Sequence, residues 1–441
     1  MIAAAKSNPL KAAFRNPNFR LLWGGQVTSI LGDQFSMIAM PWLVLKLTGS
    51  DPIALGTVLA LGSAPRALFM LVGGAVTDRL SQRTVMLVSD ILRFALTGLL
   101  AALVLTGSVH LWMVYLLSLL GGLVSSFFTP ASSSIVPHIL EPENVMGGNS
   151  VMQGSAQLSI FLGPVLAGAL IAAFAGKAAA AGAVGGANAA GNMQGIGVAF
   201  AFDSLTFLVS AVTLWFMHVP HPRGAASAGS AGQPGLLASI KESLHYMSQD
   251  PVMRLVYILI AGVNLTFVGP LLVGIPVVAD TRLAQGAAAF GMIMSAYGAG
   301  NLGGILIAGS LPKPKPGMLN AILVGLVAGF GLAIGLFAFF TTTLPFLVCM
   351  LLLGIGNGYL GISLITFIQT HTPREMLGRV MGMVLFANLG LVPVSQAISG
   401  FLIKLSLNGL FIGSGVLTIA IAAWMLFTPA TRLIGTDMSE A

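Results

Sequence analysis

Charged residues are scarce in this chain of 441 residues: Asp, Glu, Lys and Arg make up 7% of it, whereas hydrophobic residues make up 56%. The mean hydropathy is +0.93. Soluble globular domains contain about 25% charged residues, so this composition excludes a soluble globule and indicates an integral membrane protein. The single cysteine, Cys349, lies inside an apolar run. One cysteine excludes a disulfide framework and a cysteine-based metal site within the chain.

Several functional motifs are also missing from the sequence. The one Gly-Lys pair, Gly176-Lys177, lacks the spacing and the following Ser or Thr of a phosphate-binding loop, which excludes an ATP-driven pump. Neither HExxH nor GxSxG occurs, so we expect no enzyme activity, no metal and no cofactor. The net charge of +7 comes without a basic stripe interleaved with aromatics, which argues against nucleic acid as a partner. We expect no removable signal peptide, because the basic N-terminal segment has no apolar region with a cleavage site.

Long apolar runs dominate the rest of the chain. Twelve of them can cross about 30 Å of hydrocarbon as helices, since lipid leaves no other partner for the backbone polar groups. They are longer and more continuous than the alternating strands of a membrane barrel. The predicted spans are 20–46, 53–76, 84–106, 110–135, 148–175, 197–218, 253–279, 286–311, 318–340, 344–368, 379–405 and 409–428.

Lys and Arg are unequally distributed between the two sides of these spans. Fourteen of the 20 lie on the side of both termini, four lie on the other side, and Arg66 and Arg93 lie within spans. Positive residues concentrate on the cytoplasmic side, so both termini are predicted to be cytoplasmic.

Two Gly- and Ala-rich segments, 175–195 and 224–235, are predicted to be mobile linkers. After the second, Leu237, Ile240, Leu244 and Met247 recur on one helical face and predict a cytoplasmic surface helix. The predicted organisation is a cytoplasmic segment 1–19, a six-helix half 20–218, a linker 219–252, a six-helix half 253–428 and a tail 429–441.

The two halves contain similar short sequences. The loop segments PENVMGGNSVM from Pro142 and PREMLGRVMGM from Pro373 align at an offset of 231 residues, and Gly73-Gly74 aligns with Gly303-Gly304 at 230. Two matches at equivalent places favour an internal duplication. Parallel halves related by a pseudo-two-fold axis along the membrane normal are typical of transporters that alternate access around a central site.

The segment GAVTDRLSQR, from Gly74 to Arg83, resembles the helix 2–3 motif GxxxDRxGRR of the major facilitator superfamily, with Ser81 replacing the common glycine. The segments GDQF, TGS, DILR, FFTPASSSIVP and GRVMGM resemble its drug:proton antiporter branch, which includes macrolide efflux pumps and enterobactin-type siderophore exporters. The resemblance covers residues from about 15 to 428. It implies an all-α integral membrane fold of twelve helices in two six-helix halves.

The cytoplasmic gate motif comprises Gly74, Asp78, Arg79, Arg83, Asp90 and Arg93. Gly73 and Gly74 permit close helix approach, and the N-terminus of helix 11 carries partial positive charge that a carboxylate would stabilise. We expect Asp78 to latch the two halves on the cytoplasmic side, as the resemblance also implies; the alternative is an ordinary solvated turn that sets topology. Asp90 and Arg93, three residues apart in helix 3, are expected to pair and to brace this gate with Arg79 or Arg83.

Two ionisable residues, Asp33 and Arg66, are predicted to lie near the middle of the bilayer, about 20 Å and about 15 Å along their helices from the cytoplasmic ends. Such residues are costly unless they pair or face water, so they are candidates for function. We expect Asp33 to couple transport to protons and Arg66 to be its switchable partner. A permanent structural pair, or an Asp33 that binds a cationic substrate, are alternatives. Asp203 is expected to be an interfacial hydrogen-bonding residue of helix 6, and contact with protons or substrate is the alternative.

The segment SIFLGPVLAG in helix 5 resembles the antiporter motif GPxxGG through Gly163, Pro164 and Gly168, although Ala167 replaces one glycine. Its glycines are expected to let helix 8 approach closely, and the alternative is the ordinary Gly and Pro content of membrane helices. Uncharged polar residues within spans either join helices or line the substrate cavity. The cavity candidates are Gln26, Gln34, Gln157, Asn264 and Asn388.

These observations predict a multi-pass protein of a bacterial inner membrane whose partners are the lipid bilayer, protons and a small molecule, and which acts as a monomer. The expected function is export of amphipathic small molecules, such as drugs or antibiotics, in exchange for protons. A dedicated metabolite exporter, with a siderophore as the leading case, and a lipid flippase or an importer of the same fold are alternatives.

Overall fold

A computed structural model describes the backbone of residues 12–180, 187–218, 250–311, 316–372 and 374–428. Side chains are described in these ranges except at 70–79, 175–192, 316, 317, 319, 374, 375, 378 and 379. The predicted surface helix with Leu237, Ile240, Leu244 and Met247 lies outside the described residues. The described elements are all helical, and eleven are long and apolar enough to cross a membrane. A shorter apolar helix, Asn320–Leu336, occupies the remaining predicted span.

The membrane helices are numbered α1 to α12 along the chain. Their bounds are α1 Pro17–Thr48, α2 Pro52–Arg79, α3 Gln82–Leu105, α4 Leu111–Ser134, α5 Pro142–Ala180, α6 Ala187–Phe216, α7 Pro251–Thr281, α8 Ala287–Ser310, α9 Pro316–Leu336, α10 Thr343–His371, α11 Arg374–Gly390 with Val392–Leu405, and α12 Leu407–Phe427. A four-residue helix, Val136–Ile139, lies between α4 and α5. The twelve predicted spans are therefore confirmed as helices.

Several helix ends differ from the prediction. The segments that begin at Pro142 and Pro373 were expected to be loops, but the first begins α5 at Pro142, and the second lies in α11 from Arg374 onwards. Proline is favourable in a first helical turn because its missing N–H is not needed there. The predicted linker at 175–195 is also largely helical, because α5 continues to Ala180 and α6 begins at Ala187. Alanine is the strongest helix former, which explains the longer helices.

The helix α7 is interrupted by a π-helical segment, Pro270–Gly274, followed by a short helix, Ile275–Thr281. Pro270 cannot donate a backbone hydrogen bond, so the regular ladder fails at this point. Ser395 of α11 bridges the irregular site: its hydroxyl donates to the carbonyl of Leu265 at 2.7 Å and accepts from the N–H of Gly269 at 2.8 Å. The side chain thus supplies hydrogen bonds where the helix changes type.

The described residues of 12–47 and 65–218 form one compact unit. In it, α3 packs along α6, and α6 also packs on α5. Helix α1 approaches α6 closely at two glycines seven residues apart: a Cβ atom at Gly25 would lie 2.2 Å from Thr213 Oγ1, and one at Gly32 would lie 2.1 Å from Thr206 Oγ1. This spacing places both glycines on one face of α1. The close approach brings the polar residues of α1 next to those of α6.

The described residues of 48–64 and 250–428 form the second compact unit. The first part of α2 therefore packs with the C-terminal helices, where a Cβ atom at Gly56 would lie 2.7 Å from the carbonyl oxygen of Gln396. Ser63 also donates a hydrogen bond of 2.7 Å to Gln396 Oε1. The two six-helix halves, 20–218 and 253–428, were inferred from the sequence, and their boundaries stay predictions.

Helices α8 and α10 form the tightest backbone contact among the described residues of this second unit. A Cβ atom at Gly300 would lie 2.1 Å from the carbonyl oxygen of Leu351, and one at Gly354 would lie 2.2 Å from that of Tyr297. Gly304 and Gly358 make equivalent contacts further along the same two helices. Small residues permit this approach because helices in lipid associate through close packing rather than through the hydrophobic effect.

We expect Gly354→Ala to destabilise the protein by about 1–3 kcal/mol, because the added methyl group would push the backbones of α8 and α10 apart. Thermal unfolding in detergent would measure the effect. Gly361→Ala in the same helix is the matched control, since nothing lies within 4 Å of a Cβ atom there. Equal melting temperatures for the two variants would show that the glycine contact does not limit stability.

Candidate functional site: a charged cluster within the membrane helices

Four ionisable residues from three helices of the first unit meet at one place. Asp33 lies in α1, Asp90 and Arg93 lie in α3, and Asp203 lies in α6. The residue before Asp33 is Gly32, at which α1 lies against α6, and α3 packs along α6. The packing of these helices therefore concentrates charge inside segments that are otherwise apolar, which marks a candidate functional site.

Arg93 is the centre of the cluster, and its residue is only 9% exposed. Its Nη2 atom donates to Asp33 Oδ1 at 2.5 Å, and Nη1 lies 3.7 Å from Asp90 Oδ1. The guanidinium carbon also lies 3.9 Å from the ring centre of Phe207 and 5.1 Å from that of Phe128. A planar guanidinium suits both kinds of neighbour, because it donates hydrogen bonds to carboxylates along its edge and stacks on aromatic rings with its face.

Asp33 is the accessible member of the cluster. Its side chain is 42% exposed, whereas that of Arg93 is 10% exposed. The surrounding helices therefore do not enclose the Asp33 carboxylate. Groups outside the cluster can consequently compete with Arg93 for Asp33, whereas a fully enclosed ion pair would exclude them.

Asp90 is fully buried and holds its place through two neighbours. Its Oδ2 atom accepts a hydrogen bond of 2.6 Å from the hydroxyl of Ser210 in α6. Its Oδ1 atom has no hydrogen-bond partner among the described residues and faces Arg93 at the longer distance of 3.7 Å. The predicted Asp90–Arg93 pair is thus present, with weak geometry.

In this structure Asp33 forms its ion pair with Arg93 and not with Arg66, and the switchable pairing with Arg66 stays a prediction. Gly32 packs against α6, and α3 packs along the same helix, so Asp33 lies within hydrogen-bonding distance of Arg93 in α3. Arg66 is exposed and acts on Asp33 as a more distant charge. Asp90 and Arg93 were expected at the cytoplasmic gate, and the structure instead places both with Asp33.

Of the remaining gate residues, the structure describes the side chain of Arg83 but not those in the last turns of α2. Arg83 donates hydrogen bonds of 2.7 Å to the carbonyl oxygens of Leu214 and Trp215, at the C-terminal end of α6. A cation stabilises that end of a helix by satisfying its free carbonyls. The backbone of Gly74, Asp78 and Arg79 lies in the last turns of α2, and their side chains are outside the described part of the chain. The Asp78 latch stays a prediction.

Helix α1 packs against the antiporter-like motif of α5 at Gly163. A Cβ atom at Gly163 would lie 2.4 Å from Gln34 Cβ, so α1 packs closely at this glycine, and the expected approach of helix 8 stays a prediction. Pro164 and Gly168 are buried in α5. Gln34, predicted as a cavity residue, is thus in part a packing residue of the α1–α5 contact.

The other cavity candidates occupy different settings. Gln26 is 7% exposed, and its Nε2 atom has no partner among the described residues, nor has Gln157 Oε1. In the second unit, Asn264 Nδ2 donates to Asn388 Oδ1 at 3.2 Å, which joins α7 to α11. The structure therefore brings these two candidates together as an interhelical hydrogen bond, and their role towards a substrate stays a prediction.

Several residues of the cluster were not predicted from the sequence. Ser36 donates a hydrogen bond to Asp203 Oδ2, Ser210 donates to Asp90, and Phe207 and Phe128 flank Arg93. The spacing of Ser36, three residues after Asp33, was the one available signal, because it places both on the same helix face. Aromatic residues are too frequent in the spans to be recognised in this way.

A polar pair also lies at the ends of α7 and α10. Asp250 caps α7 by accepting from the N–H groups of Val252 at 2.8 Å and Met253 at 3.1 Å, and its other oxygen lies 2.9 Å from His371 Nε2. Partial burial raises the pKa of Asp250, but the hydrogen bonds from His371 and from the two backbone N–H groups outweigh it. The pKa of Asp250 therefore lies below its usual value.

The lowered pKa of Asp250 makes a pH-dependent contribution to stability. Stabilisation is present above the unfolded-state pKa of about 3.9 and is lost as the pH falls through the lower folded-state pKa. We expect Asp250→Asn, which keeps the cap, to lower the melting temperature at neutral pH, with the difference from wild type shrinking below about pH 4. Thermal unfolding across this range measures it, and a pH-independent difference would contradict the linkage.

Charged residues inside membrane-spanning helices often mark transport pathways, so this cluster indicates a membrane transporter. The chain belongs to the Major Facilitator Superfamily, whose sequence model matches residues 22–392.

Comparisons with individual proteins agree with this family. The chain is 27% identical to the enterobactin exporter EntS of Citrobacter koseri over 371 residues, which covers 83% of this chain and 81% of that protein. The same identity and coverage hold for the enterobactin exporter EntS of Shigella boydii. Among solved structures, a D-xylose-proton symporter matches with a TM-score of 0.70 at 15% identity, covering 94% of this chain and 98% of that one. The nucleoside transporter NupG matches at 0.67 and 13%, covering 93% and 100%. These structures support the fold alone.

Proposed function

We propose that this transporter exports an amphipathic small molecule in exchange for protons by alternating access. The observation that carries the proposal is the ion pair between Asp33 and Arg93, in which a buried arginine binds an accessible carboxylate inside the membrane helices. A carboxylate in this setting can exist in two states. It is ionised and paired with Arg93, or it is protonated and released from Arg93.

The two states of Asp33 give a physical basis for coupling. Protonation removes the charge that holds Arg93, so the guanidinium becomes free to interact with its other neighbours. A ligand that binds near Asp33 can favour one state over the other through its own charge or through exclusion of water. Proton binding and substrate binding thereby compete for the same cluster, which is the requirement for exchange.

A dedicated siderophore exporter is the second candidate. The observation that favours it is the 27% identity to the enterobactin exporters over 83% of this chain. Under this alternative, Arg66 would contact an anionic group of the metabolite, since its side chain is exposed. The location that fits either function is a bacterial inner membrane, with both termini in the cytoplasm as the distribution of Lys and Arg indicates.

Inside-out vesicles with an acidic interior test the proposal. A pH-sensitive dye reports proton efflux when a panel of unrelated dyes, antibiotics and enterobactin is added one compound at a time. Collapse of the gradient by several unrelated compounds would support a drug exporter, and collapse by enterobactin alone would support the siderophore alternative. If no compound changes the gradient while binding is detected by tryptophan fluorescence, proton exchange is wrong.

A further inference from the structure

The carboxyl group of Asp203 has a different environment from those of Asp33 and Asp90. The residue is 2% exposed, and no ion pair within 4.0 Å joins it to a cation in the described part of the chain. Its Oδ2 atom is hydrogen-bonded to the hydroxyl of Ser36 in α1. The hydroxyl of Thr206 also donates to Oδ1, at the longer distance of 3.5 Å, and its closer acceptor is the backbone carbonyl of Asp203 at 2.6 Å. Asp203 therefore has one close hydroxyl partner.

The charges of the cluster do not balance. Three carboxyl groups surround Arg93, which bonds Asp33 at 2.5 Å and approaches Asp90 at 3.7 Å. The charged groups that act on Asp203 are Asp33 from α1 and Arg93 from α3, and Arg66 from α2 acts on Asp33 and Arg93. With Arg93 bound to Asp33, an ionised Asp203 would be a buried negative charge beside another negative charge. Such an arrangement is costly unless the group is neutral.

A metal ion does not account for the surplus carboxylate. No group of three or more His, Cys, Asp or Glu side chains with metal-binding geometry occurs among the described residues, which include Asp33, Asp90 and Asp203. The ligand that fits a buried carboxyl group with only one close hydroxyl partner is a proton, since the neutral acid can both donate to Ser36 and accept from it.

We propose that Asp203 is a second proton-binding site of the transporter, and that it holds its proton as a carboxylic acid while Arg93 is bound to Asp33. The role of Asp203 in transport rests on the proposed proton exchange. The protonation of Asp203 does not depend on that proposal. Ser36 links the site to Asp33, because it lies one helical turn from Asp33 on the same helix.

The arrangement predicts an exchange of protons between two carboxyl groups. When Asp33 takes a proton from the accessible side, it releases Arg93. The guanidinium, already within electrostatic range of Asp203, then stabilises the ionised form of Asp203, which releases its proton. One proton enters the cluster and one leaves, so the total charge is conserved while the position of the proton changes.

Infrared spectroscopy of the purified protein in proteoliposomes tests the site without any substrate. A protonated carboxyl group gives a C=O stretching band that is separate from carboxylate bands, and labelled aspartate assigns it to Asp. We expect this band in the wild type near neutral pH and its loss in Asp203→Asn. Asp51→Asn is the matched control, because Asp51 caps α2 outside the cluster and Asn can keep the bond to the N–H of Ile53.

Ser36→Ala provides a second readout that does not depend on changing Asp203. Loss of the hydroxyl should shift the frequency of the band without removing it, because the hydrogen bond to the acid is lost. A wild type without the band, an unchanged band in Asp203→Asn, or an unchanged frequency in Ser36→Ala would each overturn the proposal. Failure of the vesicle assay with the band present would refute proton exchange and leave the Asp203 site intact.

Discussion

Arg93→Gln is expected to lower the free energy of unfolding by about 3–5 kcal/mol and to abolish transport, because it removes the cation shared by Asp33 and Asp90. Asp90 is fully buried, and its remaining partner would be the hydroxyl of Ser210. The substitution would also leave the space between Phe128 and Phe207 incompletely filled. Thermal unfolding in detergent and the vesicle proton assay measure the two effects.

Two further variants separate charge from geometry at this position. Arg93→Lys keeps the positive charge but lacks the planar guanidinium that contacts both Asp33 and Asp90. We therefore expect a free energy of unfolding between those of Arg93→Gln and the wild type, and impaired transport. The double variant Asp33→Asn/Arg93→Gln removes both members of the closest pair, and a double-mutant cycle should show a coupling of about 0.5–3 kcal/mol. Additive effects of the two substitutions would mean that the ion pair does not stabilise the protein.

Asp33→Asn is expected to reduce proton-coupled transport to the background level while the protein remains folded. Asparagine has the same shape and can still accept a hydrogen bond from Arg93, but it cannot bind and release a proton. The vesicle assay measures proton efflux, and uptake of the same compound measures transport. Loss of both with retained binding would identify Asp33 as the coupling carboxylate.

The control for this prediction is Asp51→Asn, which changes an aspartate at the start of α2 and should transport normally. Wild-type proton efflux in Asp33→Asn would contradict the role of Asp33 and would leave the pair with Arg93 as a structural contact. Transport without proton efflux in this variant would instead show that the substrate can move uncoupled.

The site was only partly predictable from the sequence. A carboxylate in the middle of an apolar run is visible without a structure, so Asp33 was recognised as a candidate, and the spacing of Asp90 and Arg93 predicted their pairing. The partner of Asp33 was not predictable, because Arg66 and Arg93 both lie within predicted spans, in α2 and α3. Depth follows from counting residues at about 1.5 Å each, whereas direction around the helix axis depends on packing.

The sequence alone determined that this protein crosses the membrane as a series of helices, because long apolar segments satisfy their backbone hydrogen bonds in lipid only as helices. Its motifs also determined the superfamily. The tertiary structure alone decided which charges meet. Gly25 and Gly32 let α1 pack closely against α6. In this arrangement Asp33 bonds Arg93, and the buried Asp203 bonds Ser36. The tertiary structure also decided that the first part of α2 packs with the C-terminal helices. These contacts join residues far apart in the chain, so local sequence patterns do not specify them.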